Sequence, residues 1–309
     1  MNISVIIPTK ERPNDLAAML KSLLTQSMQA TEVIIIDQSN NDASRLVSEK
    51  ILRDNPRLGL NYILDTQITG AAQARNKGIK VAQGDIIFFF DDDVVLDRDF
   101  IKESLKIYDD HPDVAGVGGV ITNYQHLNSK RFKINRRIFF RGIFKEERSD
   151  IFANYLNYDH PIPTSKLSGG CCSYKRKILE KEWFDERFDR VLNGYAFGED
   201  IDLSLRISRK SPLLITPFAR LEHHHTGRPT DKKENQFYLE VASWTYIFFK
   251  TFSRNLKAWC CFIWVCLGWL TRCLKNLLML DASVFKALFR GIHTGYRLWR
   301  SRGIEGNLV

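Results

Sequence analysis

Residues 85–93 read Asp-Ile-Ile-Phe-Phe-Phe-Asp-Asp-Asp, five apolar residues that stop on three carboxylates. A short run that is apolar at consecutive positions, β-branched and aromatic, predicts a strand buried on both faces. Three carboxylates at one point repel each other unless a cation sits among them, and hard oxygen ligands suit Mg2+ or Mn2+. Outward from this stretch the same kind of segment recurs. Residues 3–7 (Ile-Ser-Val-Ile-Ile) read as a buried strand stopped by Pro8, and Asn14 or Asp15 can cap a helix through about Gln26. Glu32–Asp37 and Leu60–Leu64 read as strands, with helices over Ala43–Asp54 and Ala71–Ala82. The alternation predicts an α/β fold, a mostly parallel central sheet flanked by helices. Ligands of such sheets bind at the carboxyl ends of the strands. Those ends carry Thr9–Arg12, Asp37–Asn40, Asp65-Thr66 and Asp91–Asp93, the most polar positions of the region.

Residues 124–150 break the pattern, with eight Lys/Arg against three acids, and read as a basic loop or lid. Order resumes at Leu167–Tyr174, followed by a helix near Lys175–Lys181 and another over Glu199–Arg209. Leu213–Thr216 and Leu221–His225 look extended, and from Asn235 the chain reads as helical, aromatic and basic. The Gly116, Gly118 and Gly119 set does not make the G-x-G-x-x-G of a dinucleotide site.

The residues now form a recognisable set: Val5-Ile-Ile-Pro-Thr-Lys-Glu-Arg-Pro13, Ile34-Ile-Ile-Asp37, Ala74-Arg-Asn-Lys-Gly78, Phe89-Phe-Asp-Asp-Asp93, Ser168-Gly-Gly170, Trp183-Phe-Asp-Glu186 and Gly198-Glu-Asp-Ile-Asp-Leu-Ser-Leu-Arg206. In this order and spacing, across residues 3–226, the sequence resembles the family 2 glycosyltransferases, inverting enzymes with the GT-A fold. The resemblance implies a nucleotide-sugar donor whose base and ribose are bracketed by Pro8, Thr9, Glu11, Arg12 and Asp37. Asp91 and Asp93 match the family's D-x-D pair, which holds a divalent cation, Mn2+ or Mg2+, against the donor diphosphate, with Asp92 beside them. Arg75, at the start of a helix of small residues, could reach that diphosphate, and Gly170 leaves room where donor and acceptor meet. After the second strand this chain has Gln38-Ser39 where many relatives have another Asp.

An inverting transfer needs one general base to deprotonate the acceptor hydroxyl. By resemblance that base is Asp200, with Glu199 beside it. Among His223-His224-His225, alternation along an extended run puts 223 and 225 on one face and 224 on the other. The family's metal-ligating His follows a Pro-x-Ala strand, here Pro217-Phe-Ala219, which favours His223 with His225 the alternate. The expected organisation is a catalytic domain over 1–234, with a nucleotide-sugar half (1–123) and an acceptor half (124–234), then a membrane-associating tail over 235–309.

The chain has 309 residues and a net charge of +9, a total that invites a nucleic-acid partner. Its distribution points elsewhere: residues 250–302 hold ten Lys/Arg and one acid, and the remaining positions balance. Residues 259–270 carry no charge, and a helix from Ala258 to Thr271 is ~21 Å long against a ~30 Å bilayer core, short for a crossing. On a helical wheel Lys250, Arg254, Lys257, Arg272 and Lys275 fall on one stripe, with aromatics filling the rest. That pattern suits helices lying on an anionic membrane surface, and the partners expected are a nucleotide sugar, a glycan or lipid-linked glycan and that surface. The six cysteines make neither a disulfide framework nor a zinc motif, and the first residues lack a signal-peptide pattern, so a cytoplasmic site on the inner face of the membrane is expected. Two other readings compete: a sugar-phosphate nucleotidyltransferase, which would want a glycine-rich loop after the first strand, and an inactive membrane-docking scaffold.

Overall fold

The computed structural model describes the backbone of residues 1–309 apart from 54, 56–57, 125–129, 192–196, 225–232, 254, 278–281 and 306–309, and side chains except also those of 130–133, 233, 275–277 and 302–305. The chain divides into two compact units, one of residues 1–125, 147–186 and 199–226, the other of 126–146, 187–198 and 227–309.

The first unit is built on a sheet of nine strands among the described residues. They are β1 (Ile3–Thr9), β2 (Glu32–Asp37), β3 (Gly59–Leu64), β4 (Ile86–Phe90), β5 (Val94–Leu96), β6 (Gly116–Ile121), β7 (Ile162–Thr164), β8 (Cys171–Lys175) and β9 (Leu213–His223). Helices α1 (Pro13–Leu24), α2 (Ala43–Leu52), α3 (Ala71–Val81) and α4 (Phe100–Asp110) lie between the early strands. After α5 (Lys130–Phe139), which belongs to the second unit, come α6 (Glu147–Asn154), α7 (Arg176–Leu179) and α8 (Glu199–Ile207). The order across the sheet is β3-β2-β1-β4-β8-β6-β9-β5, with β7 also on β9. The first four strands are parallel, β8 is antiparallel to β4 and β6, and β9 is parallel to β6 but antiparallel to β5 and β7.

The early strands hold together because every residue of β1 and β4 is buried; β4 is apolar throughout, and the two buried hydroxyls of β1, Ser4 and Thr9, donate to Glu32 and Asp92. Phe88, Phe89 and Phe90 are fully buried and meet Phe100 and Phe184 edge-on, Phe90 with Phe100 at 5.2 Å and Phe89 with Phe184 at 5.3 Å. Each such ring contributes about 1.5–3 kcal/mol of burial.

Three expectations shift. The first strand runs through Pro8 to Thr9. Thr9 accepts the amide of Gln38 from the β2 side, so Pro8 faces the β4 side, and pairing with β4 has already ended at Ile6; the missing N–H forfeits no ladder bond. Helix α1 starts at Pro13, with Arg12 as N-cap and no side-chain cap bond, because proline is preset for a first helical position. The basic stretch 124–150 contains helices α5 and α6 rather than a loop. The end of the second helix expected at Asp54 lies outside the described residues.

β6 explains its own glycines. A Cβ at Gly116 would sit 2.5 Å from the Tyr174 ring on β8, and one at Gly119 would sit 2.5 Å from the Ala219 carbonyl on β9. Any side chain there would push the sheet apart.

The second unit packs α5 with α9 (Lys233–Ile247), a π turn over Phe248–Phe252, α10 (Leu256–Leu277) and α11 (Ser283–Glu305). Its core is aromatic: Phe248 stacks on Phe262 at 4.1 Å and Phe144 lies 5.1 Å from Trp244. α11 lies close on α9, since a Cβ at Gly291 would come 2.8 Å from Val241. Arg272 does not join an outer basic stripe. It turns inward to the buried Glu240, with Nη1 2.9 Å from Oε2, and Trp269 Nε1 donates to the same carboxylate at 3.2 Å. Burial alone would raise the pKa of Glu240, but Arg272 and Arg136 outweigh it and the net direction is down. Arg254 and Asp281, and the side chains of Lys275 and Arg302, lie outside the described residues.

Candidate active site

The carboxyl ends of β1, β2 and β4 meet on one edge of the first unit, because Thr9 pairs with Asp37 and β4 runs alongside β1. Beyond β4 the chain turns through Asp91–Asp93 into β5, whose Val94 pairs with His223 at the end of β9. Strand register alone therefore brings residue 223 beside the acidic turn. His223 Nε2 lies 2.8 Å from Asp93 Oδ1 and 3.9 Å from Asp91 Oδ2. One ligand atom from each of the three lies within 4.8 Å of the others. The His223 backbone is clamped from both sides by Asn123, which accepts its amide at 2.9 Å and donates to its carbonyl at 3.1 Å. His224 faces away and pairs with Glu222 at 3.0 Å, as strand alternation requires, and His225 lies outside the described residues. Two carboxylates and an imidazole form a donor set that fits a divalent cation such as Mn2+.

Asp92 turns the other way. It accepts Thr9 Oγ1 at 2.8 Å and Arg12 Nη1 at 3.3 Å, while Arg12 also reaches Asp93 Oδ2 at 3.1 Å. Burial pushes the Asp92 carboxyl up to about 7, against the pull of Thr9 and Arg12. These contacts tie the turn after β1 to the acidic turn. Glu11, in that first turn, has φ 55°, a left-handed backbone, and its amide donates to Ser39 Oγ at 2.7 Å. Asp37 is fully buried, accepts Ser39 N at 2.8 Å and receives the Tyr62 hydroxyl. Burial, and then the hydrogen bond to Asp37, push the Tyr62 hydroxyl far up.

Arg75 is buried rather than presented to solvent. Its Nη2 donates to Asp91 Oδ1 at 2.9 Å and its Nη1 to Glu199 Oε1 at 2.7 Å. One guanidinium thus joins the acidic turn to the first residue of α8. The loop before β8 joins them a second time. Gly169 N donates to Asp200 Oδ2 at 3.0 Å, and a Cβ at Gly170 would overlap the Asp91 carboxylate. Asp200 also accepts Ile201 N on Oδ1 at 2.7 Å and Arg148 Nη1 on Oδ2 at 2.9 Å. Cys171 and Cys172 follow the glycines, buried, with their thiols pushed well up by that burial, so they pack and are not thiolates.

Several of these partners were not singled out from sequence. Arg148 sat within the basic stretch with nothing to distinguish it from its neighbours, and Asn123 sat at an expected boundary. Asn76 stood inside a quoted motif without a role. It donates to the Phe184 carbonyl and to Glu186 Oε1, each at 2.9 Å, and accepts Phe184 N at 3.0 Å, fastening that segment to α3.

Residues 4–183 match the family model described as Glycosyl transferase family 2. The chain belongs to that family. Among curated relatives it is 28% identical over 157 residues to the uncharacterized glycosyltransferase YwdF of Bacillus subtilis, covering 50% of this chain and 56% of that protein. It is 32% identical over 108 residues to the amylovoran biosynthesis glycosyltransferase AmsB of Erwinia amylovora, covering 35% of this chain and 36% of the relative. The chain thus spans just over half the length of the first of these relatives and about a third of the second. Among solved structures it resembles the mannosyltransferase PcManGT from Pyrobaculum calidifontis in complex with GDP-Man and Mn2+, with TM-score 0.59, 14% identity, and coverage of 96% of this chain and 86% of the other. S. aureus TarS gives TM-score 0.54 at 16% identity, covering 81% of this chain and 40% of that one. At such identities the likeness speaks for the fold, and the mixed α/β sheet is the GT-A fold of the family.

Proposed function

We propose that this chain is an inverting, metal-dependent glycosyltransferase. It moves a sugar from a nucleoside-diphosphate donor to a hydroxyl of a glycan, lipid-linked, at the cytoplasmic face of a membrane. The observation that carries this reading is the Gly169-Gly170 loop, where one residue donates to Asp200 and the next lies against Asp91. A candidate base and a candidate metal ligand therefore flank one small-residue gap in which a sugar and an acceptor hydroxyl can meet.

In this reading Asp91, Asp93 and His223 hold Mn2+ or Mg2+, and the imidazole in the set favours Mn2+. When bound there, the cation supplies neutralisation of the charge that develops on the departing diphosphate. The Thr9–Arg12 turn and Asp37 with Ser39 and Tyr62 hold the nucleoside end. Asp200 takes the proton of the attacking hydroxyl. Its Oδ2 is occupied by Arg148 and Gly169, which fixes the carboxylate plane, while Oδ1 keeps a second lone pair beside the Ile201 amide bond. Arg75 keeps Asp91 and Glu199 from repelling each other. The first strand leads into Thr9-Lys-Glu-Arg12, which lacks the glycine-rich loop a nucleotidyltransferase wants.

The test is a melting-temperature panel of uridine, thymidine and guanosine sugar nucleotides with and without Mn2+. One donor raises the melting temperature only with Mn2+, by the equivalent of about 2.7 kcal/mol at a hundred times its dissociation constant. Asp93→Ala abolishes the metal-dependent part. No Mn2+-dependent shift with any of the donors would overturn the reading. A second variant probes the gap itself. In Gly170→Ala the new methyl forces the Asp91 carboxylate aside and strains its bond to Arg75. Mn2+ affinity by titration is expected to fall about 10–100-fold, with a modest drop in the melting temperature of the metal-free protein; unchanged Mn2+ affinity removes Asp91 from the metal set.

A further inference from the structure

α10 carries a face that the fold leaves open. Leu256 is 81% exposed, Ile263 57%, Trp264 44%, Leu267 42% and Leu274 55%. At ~100° per residue these positions fall within an arc of about 100°. The opposite face is occupied: Phe262, Val265, Trp269 and Cys273 are buried, and Trp269 and Arg272 bind the buried Glu240 of α9. α5 extends the open face sideways. Trp264 Nε1 donates to the Ile138 carbonyl at 2.9 Å, and Asn135 Nδ2 reaches Thr271 Oγ1 at 2.8 Å, so the exposed Ile134 and Ile138 lie alongside the apolar arc. The exposed cations Arg137, Arg141 and Lys257 border it. α11 turns Lys286, Arg290, Arg297 and Arg300 outward with the exposed rings of Phe289 and Tyr296.

We propose that the open face of α10, with the adjoining side of α5, lies in the headgroup layer of an anionic bilayer. The proposal rests on the membrane part of the reading above and gives it a surface. Charge decides the occupant. A second copy would bring the same cations against these cations, whereas acidic lipid headgroups neutralise them while the apolar arc enters the acyl boundary. Leu256–Leu274 is long and apolar enough to cross a membrane, with 33% of it buried inside the protein. A crossing would place the Glu240–Arg272 pair and the cationic side of α11 in hydrocarbon, where charged groups are costly. The helix therefore lies along the surface.

The experiment is sedimentation of the full-length protein with phosphatidylcholine vesicles, with and without about a third phosphatidylglycerol. Wild type is expected to bind the anionic vesicles and to release in high salt. Ile263→Gln with Leu267→Gln, both on exposed positions, keeps the wild-type melting temperature and lowers vesicle partition about tenfold or more. Undiminished binding by that double variant overturns the face while leaving membrane association standing. Failure of the wild type to bind either vesicle overturns the membrane reading and the face with it. Retention on vesicles through alkaline extraction identifies a crossing helix and overturns the surface placement. A dimer in light scattering that the double variant dissolves assigns the face to a second copy and likewise overturns it.

Discussion

Asp200→Asn lowers sugar transfer by about a hundred- to ten-thousandfold, the range that a positioned general base contributes, while donor affinity in the presence of Mn2+ stays close to wild type. The side chain keeps its shape but loses the ability to take a proton. The fall should appear in kcat, because Asp200 acts on the acceptor hydroxyl as it attacks and the candidate donor contacts lie elsewhere. The surroundings add a signature in stability. Three N–H donors converge on this carboxylate, from Ile201 on one oxygen and from Gly169 and Arg148 on the other. A carboxylate accepts all three, whereas an amide must turn its NH2 toward one side, leaving a donor facing a donor at a cost of about 1–3 kcal/mol. A lowered melting temperature with intact donor binding is therefore part of the expected result, and near-normal kcat in Asp200→Asn removes the residue from the base role.

The site shows how far a single sequence reaches. Of the first four strands, β2 and β4 were legible as runs of β-branched or aromatic residues buried on both faces, and β1 as a nearly apolar run, whereas β3 at the sheet edge is only half-buried and was read from Leu60, Tyr62 and Ile63 between turn residues. The polar carboxyl ends of these strands located the acidic turn. β8 and β6 were not legible as neighbours. β8 enters between β4 and β6 in the antiparallel sense from 80 residues further along the chain, and nothing local in Cys171–Lys175 records that partner. The glycines of β6 matched no binding motif, and Gly116 and Gly119 answer to Tyr174 and Ala219 on strands that the sequence does not place beside them. His223 stood out from its triplet through a family anchor, while its approach to Asp93 follows from the pairing of Val94 with residue 223. Arg148 was invisible because one arginine among eight cations has no local mark; only the return of the chain at Gly169 and Asp200 gives it a partner. In the second unit the charge total was legible but its direction was not. Arg272 lies on the predicted stripe, and its guanidinium is drawn inward because Glu240 is buried there.

Arg75→Met carries the other large effect, a loss of about 3 kcal/mol of folding stability, the lower end of the range for removing one partner of a buried ion pair, since Asp91 keeps some contact with solvent. Burial alone would discourage a charge on Arg75, and Asp91 and Glu199 more than reverse this, so the guanidinium stays protonated between them. With Met at this position the Asp91 and Glu199 carboxylates, 26% and 9% exposed, face each other across a methyl group. Arg75→Lys restores less than half, because one ammonium cannot reach both carboxylates as Nη1 and Nη2 do. Chemical denaturation measures the loss, and Mn2+ shows where it comes from. A cation held by Asp91, Asp93 and His223 neutralises one of the two carboxylates that Arg75 bridges, so the penalty of Arg75→Met shrinks at saturating Mn2+, whereas a deficit of packing alone would not. Donor affinity, measured beside these, separates this role from a direct grip on the donor diphosphate. Stability near wild type with donor affinity lost would assign Arg75 to the diphosphate; stability lost and partly recovered by Mn2+ assigns it to holding the acidic turn against the first turn of α8.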